Sequence, residues 1–423
     1  MILRVPSFWR KYLPGSRGTL ESLLDLSGRE RLLAVALGAV FFLFPISSGL
    51  RSGALLLAAA VWVGTGLVLR GFRQGVRQTW FLPLLYVVLL TFAGLLWSPD
   101  PAMGLDDARR NYHWLLALAV ASIPVTLPLF RGWMSAFLCG TSLTALVALL
   151  QVAGSLPFWK KAPSAFQPKI AFSLLLAAAI LLFLRRLAMP CGTASRILLS
   201  CGGLACWAAL VYCRGRAGVL ALAIGLPLAA LLLFFPRKGL RGKAVLLALA
   251  IVAATMAMPV VQMRMSQGRR DLQIFMARGG VFSLGARLLY WKEGWQMFLE
   301  HPLAGVGSGG YRVTFQERYP KFPGRKPHAH SSYLTVASEL GLAGLVGWGA
   351  LGWVLFRAAW KRRRDEVGYT ALAFGLVLLV GSLTDIEIQK GVMLCFLALV
   401  TGSLSASPAG DLPRGSETAR RRA

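Results

Sequence analysis

Arginines and histidines carry the chemistry that this sequence offers. Arg214 and Arg216 stand in the tetrapeptide CRGR, Arg287 in ARLLYWKEGW, and His328 and His330 in PHAHSSYL. Each has an ordinary reading. An arginine at the end of an apolar helix commonly snorkels its charge toward water, and a lone histidine at a helix start is commonly structural. His-x-His spacing also suits a metal pair, but no carboxylate or cysteine cluster lies near it in the sequence. That spacing therefore points away from a metal site. A histidine that caps a helix beside arginines is placed for proton transfer, because its neighbours can tune its pKa. His113 and His301 lack such company and read as structural. GVGSGG at 305–310 looks like a phosphate-cradling loop, yet it lacks the following lysine and the strand–helix context of one.

The elements that must position these residues are membrane helices. Of 423 residues, 56% are hydrophobic and 15% are charged, against roughly a quarter charged in soluble domains. Apolar runs long enough to cross about 30 Å of hydrocarbon recur along the whole length. Twelve are read: 32–50, 53–70, 80–97, 113–130, 132–153, 170–186, 196–213, 217–235, 244–262, 331–357, 368–386 and 391–407. The expected fold is all-α, a polytopic membrane protein of about twelve transmembrane helices with one long periplasmic loop that contains helices.

Charge sets the expected orientation. If the N-terminus is cytoplasmic, the cytoplasmic pieces hold 26 lysines and arginines and the short external loops hold 9. Short loops decide topology, and that bias places both termini in the cytoplasm. The divisions that follow are a cytoplasmic N-terminal segment at 1–31, helices one to nine at 32–262, a periplasmic loop at 263–330, helices ten to twelve at 331–407, and a cytoplasmic tail at 408–423. The first apolar run follows about 30 polar and basic residues, so it reads as an uncleaved anchor. A net charge of +29 in a soluble protein would suggest nucleic acid. Here the charge sits in loops between apolar runs, which fits topology and anionic membrane lipids, with no nucleic-acid partner.

In the long loop, Leu288, Trp291, Trp295 and Phe298 recur at helical spacing within 284–299. This predicts an amphipathic helix that lies on the membrane surface or caps the bundle. The six cysteines fall in or beside apolar runs with no CxxC pair, so neither a disulfide framework nor a zinc site is expected. Twelve helices also suit a transporter. Coupled carriers need ionisable groups at mid-membrane, whereas only Glu339 falls well inside an apolar run. Asp385 and Glu387 sit at an outer end.

Three pieces of the sequence resemble the O-antigen ligase family of polytopic glycan transferases. They are RAGVLAL (216–222), ARLLYWKEGWQMFLEHPLAGVGSGGY (286–311) and HSSYLTVASELGLAGL (330–345). They are similar to that family's Arg-Gly-x-x-Leu-Ala-Leu, its Arg-x-x-Tyr-Trp leading to His-Pro-Leu-x-Gly-x-Gly, and its His-Asn-x-Tyr-Leu followed by Glu-x-Gly. Ser331 replaces the asparagine after the histidine. The serine expected before the first arginine has no clear equivalent in CRGR, so Arg214 and Arg216 compete for one role. Arg216 aligns without a gap.

The resemblance implies a glycan donor on undecaprenyl diphosphate and a lipid A–core acceptor, joined at the periplasmic face of the bacterial inner membrane. A leaving diphosphate needs cations, and arginine grips phosphate oxygens through several donors without losing its charge. Arg216 and Arg287 take that role by resemblance, and His330 that of general base. Arg214, His328, Tyr311 and Trp291 are expected to contact substrate. With two arginines neither a metal nor another cofactor is called for, and a single displacement inverts the anomeric centre. The external loop carries 11 basic residues against Asp271, Glu293, Glu300 and Glu317, which favours anionic substrates. An O-antigen or capsule polymerase and a protein O-oligosaccharyltransferase would use the same donor and motifs.

Overall fold

A computed structural model describes residues 16–157, 163–234, 238–278, 283–320, 322 and 328–405. The expected tail at 408–423 and the first part of the N-terminal segment lie outside them. Among the described residues the regular structure is helical, apart from one isolated parallel bridge between Ser47 and Phe166. The chain runs through α1 (Ser16–Leu24), α2 (Gly28–Leu43), α3 (Ser48–Gly64), α4 (Val68–Val76), α5 (Phe81–Ala93) and α6 (Pro101–Ala108). There follow α7 (Leu115–Ala121), α8 (Leu127–Val152), α9 (Lys169–Leu187), α10 (Thr193–Tyr212), α11 (Arg216–Phe234) and α12 (Lys238–Ala257). The last are α13 (Pro259–Arg278), α14 (Ser283–Glu300), α15 (Gly310–Arg318), α16 (Ser332–Lys361), α17 (Glu366–Thr384) and α18 (Gly391–Leu404).

Among the described residues, seven helices are long and apolar enough to cross a membrane: α8 to α12, α16 and α17. The pair α3–α4, bent by 95°, makes up to eight. The other expected segments match the shorter helices α2, α5 and α18, with one exception. Segment 113–130 is not one helix. It divides into a 3-10 turn at Arg109–Trp114, α7, and an irregular stretch before α8. Pro124 lacks the backbone donor that would continue α7. Pro128 sits in the first turn of α8, where that donor is dispensable.

α9 is the core of the bundle. Every residue from Ala171 to Phe183 is buried, as expected of a helix apolar on all sides. It packs against α8, α10, α11 and α17. Two groups of charges mark the two ends of this bundle. At one end Glu366, at the start of α17, pairs with Arg186 and with Arg131 at 3.2 Å, close to Arg362 and Asp365. The other end gathers the starts of α9, α11, α16 and α18 and the end of α17.

Candidate functional site

The turn from α10 to α11 sets Arg214 and Arg216. Arg214 adopts a left-handed backbone (φ 61°), a costly conformation for a residue with a side chain. Gly215 and Gly218 then press against α9. A Cβ at 215 would stand 2.4 Å from Ser173 Cβ, and one at 218 would stand 2.2 Å from the Ser173 carbonyl oxygen. This closeness lets Ser173 Oγ accept the Gly218 N–H at 3.2 Å. The first turn of a helix leaves its N–H groups unpaired, and α11 receives its cap from α9. No serine within CRGR is needed for it. Arg216 opens α11 half-buried and extends over α13, where a Cβ on Gly268 would meet its Nη1 at 2.7 Å. Arg214 is exposed.

A cationic cluster forms around Arg216. Arg264 of α13 has its pKa lowered by burial and then by the charges of Arg214 and Arg216. Arg287 of α14 is lowered by burial, with Arg216 adding to the effect and Asp385 opposing it. Lys169, the first residue of α9, lies within electrostatic reach of Arg216, Arg264 and Arg287. Cations so placed repel one another when the site is empty, and a polyanion relieves them.

His330 stands beside this cluster. Its backbone is left-handed as well (φ 53°), and two contacts hold it. Its N–H donates to His328 Nδ1 at 3.1 Å, and its carbonyl accepts the Trp291 indole N–H at 3.3 Å. Its ring lies 5.6 Å from that of Tyr290. His330 Nδ1 is buried without a well-formed hydrogen bond and points at Asp385 Oδ1, 3.5 Å away. Burial works to raise the Asp385 pKa. His330, Lys390 and His328 outweigh it and hold Asp385 well below the usual carboxylate range.

Asp385 is itself fixed. Its Oδ2 accepts from Lys390 Nζ at 2.6 Å and its Oδ1 from the Ile386 N–H at 2.8 Å. Lys390 also reaches Glu387 Oε1 at 2.8 Å. The two serines after His330 tie α16 to this link. Ser331 Oγ donates to the Ser382 carbonyl at 3.3 Å, and Ser332 Oγ to the Asp385 carbonyl at 3.0 Å. Ser331 therefore makes a structural tie where the family pattern has asparagine.

The glycine-rich segment has a different job from phosphate binding. α16 breaks at Gly341 (φ 61°, ψ −154°), which frees backbone groups inside an apolar helix. The 302–307 segment takes them up. Val306 and Gly307 donate to the Ser338 and Glu339 carbonyls at 2.8 and 2.9 Å. Pro302 and Leu303 accept from Leu342 and Ala343 at 2.8 and 3.1 Å. Ser308 donates to Gly94 and Thr91 of the α5 end, at 3.1 and 2.7 Å. A broken helix at membrane depth is tolerated when protein re-pairs its backbone in this way. The buried Glu339 carboxyl lies near the backbone of Gly309 and Tyr311 at the start of α15.

Of the residues expected at the site, Arg216, Arg287 and His330 come together, with Arg214 at the rim, His328 against His330 and Trp291 on the His330 carbonyl. Tyr311 is fully buried and donates to the Tyr290 carbonyl at 2.8 Å, inside a small core with Phe315 and Met297. Asp385, Lys390, Lys169 and Arg264 were not assigned to the site by sequence. A carboxylate remote in the sequence stands beside the His-x-His pair. Asp385 Oδ1 lies 4.0 Å from His328 Nδ1, because α17 returns the chain to the start of α16. His113 is buried, with Nδ1 on the Arg110 carbonyl at 2.8 Å.

None of the curated proteins matches this chain. A family model described as O-antigen ligase matches residues 201–349, the stretch that holds Arg214, Arg216, Arg287, His328 and His330, and it supports placing the chain in the O-antigen ligase family.

Proposed function

We propose that the chain is a glycosyltransferase of the bacterial inner membrane that moves a glycan from undecaprenyl diphosphate to lipid A–core. The carrying observation is the meeting of Arg216, Arg287 and the His330–Asp385 pair. Ser332, which donates to the Asp385 carbonyl, also lines an apolar cavity of about 750 Å³. Leu228, Tyr333, Val336, Trp348, Leu376 and Leu397 are among its lining residues, so it runs between α11, α16, α17 and α18. Tyr333 and Ile388 in its wall are near neighbours of His330 and Asp385 in the chain. A donor with a diphosphate head and a long hydrocarbon tail has matching features.

In this reading Arg216 and Arg287 hold the diphosphate, with Lys169 and Arg264 adding to the field. Asp385 faces Nδ1 of His330, which favours the tautomer with a free Nε2. The acceptor hydroxyl oxygen attacks the anomeric carbon and gives its proton to His330. The bond from that carbon to the diphosphate oxygen breaks with its electron pair staying on that oxygen, and the arginines hold the departing diphosphate. One displacement inverts the configuration. The site faces the periplasm and both termini face the cytoplasm. The concentration of Arg131, Arg186 and Arg362 at the opposite end supports that orientation.

The test is reconstitution with undecaprenyl-diphosphate-linked glycan and lipid A–core, alongside a deletion strain. Glycosylated lipid A–core should form, and chelator should not abolish it. A requirement for added divalent ion that persists with clean substrates overturns the arginine mechanism. Loss of smooth lipopolysaccharide with accumulation of lipid-linked polymer is expected. Loss of the polymer itself would make the protein a polymerase, and glycan appearing on protein would make it a protein O-oligosaccharyltransferase.

A further inference from the structure

We propose that His328, His330 and Asp385 form a binding site for a borderline divalent metal such as zinc, and that metal there switches the transferase off. The second half rests on the reading of His330 as the base. One ring nitrogen of each histidine and a carboxylate oxygen of Asp385 lie within 4.8 Å of one another. The two rings are 4.4 Å apart and set edge to face, so their nitrogen lone pairs can converge. Asp385 Oδ1 is 3.5 Å from one Nδ1 and 4.0 Å from the other. Ligand atoms around tetrahedral zinc, with bonds of about 2.0–2.1 Å, stand roughly 3.3 Å apart. Small side-chain rotations therefore close the site.

A second set of contacts resembles that of built metal sites, where outer partners orient the ligands. Lys390 holds the other Asp385 oxygen at 2.6 Å, and Trp291 holds the His330 carbonyl at 3.3 Å. The buried His330 Nδ1 faces Asp385 Oδ1 across 3.5 Å, so a metal that displaces the ring proton would sit between them. Two imidazoles and one carboxylate select zinc, copper or nickel over magnesium and calcium. Three protein ligands also leave a fourth position for water.

Charge makes the site reversible. Lys390 and Arg287 oppose a cation beside Asp385, while Glu387 favours it. Metal bound here occupies a His330 lone pair and pulls the ring from its working position, so the acceptor hydroxyl has no base. His328 is decisive. It lies outside the Tyr-Leu motif that carries the family resemblance, and without it only two ligands remain.

The experiment is zinc titration of the purified full chain by calorimetry, with transfer measured in parallel. The parent should bind one zinc per chain and no magnesium, and zinc should suppress transfer that chelator then restores. His328→Ala should lose at least about a hundredfold in zinc affinity, and whatever transfer it retains should be indifferent to zinc. Asp385→Asn should also bind zinc more weakly. No zinc binding by the parent, or parental affinity in both variants, overturns the site. Zinc held by these three residues with transfer undiminished overturns the switch and the assignment of His330 as base. If no glycan donor is used at all, the functional reading fails, and the calorimetry still decides the metal site.

Discussion

His330 Nδ1 faces Asp385 Oδ1 across 3.5 Å, and the carboxylate is pinned from its far side by Lys390. The arrangement gives Asp385 a positioning role. Asp385→Asn keeps the shape and removes the charge that orients the ring. Turnover should fall by about a hundredfold or more while donor binding persists. Near-parental turnover would remove Asp385 from the mechanism.

The same pair sets a pH expectation. Asp385 is held below the usual range, so its charge is present above its ordinary pKa of about 3.9 and is lost only as the pH falls through the lower folded value. It stays ionised through neutral and mildly acidic conditions. An acid-side loss of transfer above pH ~5 is therefore not the protonation of Asp385. A spectroscopic titration that shows the Asp385 carboxyl taking up its proton above pH ~5 would contradict this.

The two jobs at the site should separate. His330→Ala keeps the arginines and removes the base, so lipid-linked donor should bind nearly normally while turnover drops by roughly a hundred- to ten-thousand-fold. His328→Ala should be milder in metal-free buffer. Arg216→Lys keeps a charge but loses the planar fork, and should still be impaired. If His328→Ala is dead and His330→Ala active, the base is the other histidine.

Gly268 gives Arg216 its room. Gly268→Ala would place a methyl 2.7 Å from Nη1. The end of a long side chain shifts readily, so the fold should survive while the guanidinium moves. Misplacement of about 1 Å can cost up to a hundredfold. Turnover in Gly268→Ala should fall by tenfold or more at unchanged thermal stability, and a parental rate would show that Arg216 needs no such placement.

Gly341 is a folding residue. Gly341→Ala would force a side chain into a left-handed backbone with its Cβ 2.5 Å from the Leu303 carbonyl carbon. The backbone strain alone costs about 1–3 kcal/mol. Thermal denaturation in detergent should show the loss, with Gly349→Ala, which meets nothing within 4 Å, as the unaffected control. Equal stability of the two variants would refute the interlock of α16 with the glycine-rich segment.

Much of this protein was legible in one dimension. Apolar runs give membrane helices because hydrocarbon offers the backbone no other partner, and that signal is local. The helix of 284–299 appears as α14, and Arg216 opens α11 as its motif suggests. One local signal misled. The prolines at 124 and 128 divide an apolar run that composition alone joins. GVGSGG lacks the marks of a phosphate loop in the sequence, and its glycines serve a close approach to the broken α16. Only the tertiary structure decided what stands beside what. Asp385 and Lys169 have no spacing that links them to His330 or Arg216. They arrive because α17 and α9 end or begin at that end of the bundle. Ser173 caps α11 from another helix for the same reason. Helix type follows from neighbours in the chain, whereas a site is made by packing, which brings together residues that carry no mark of each other in the sequence.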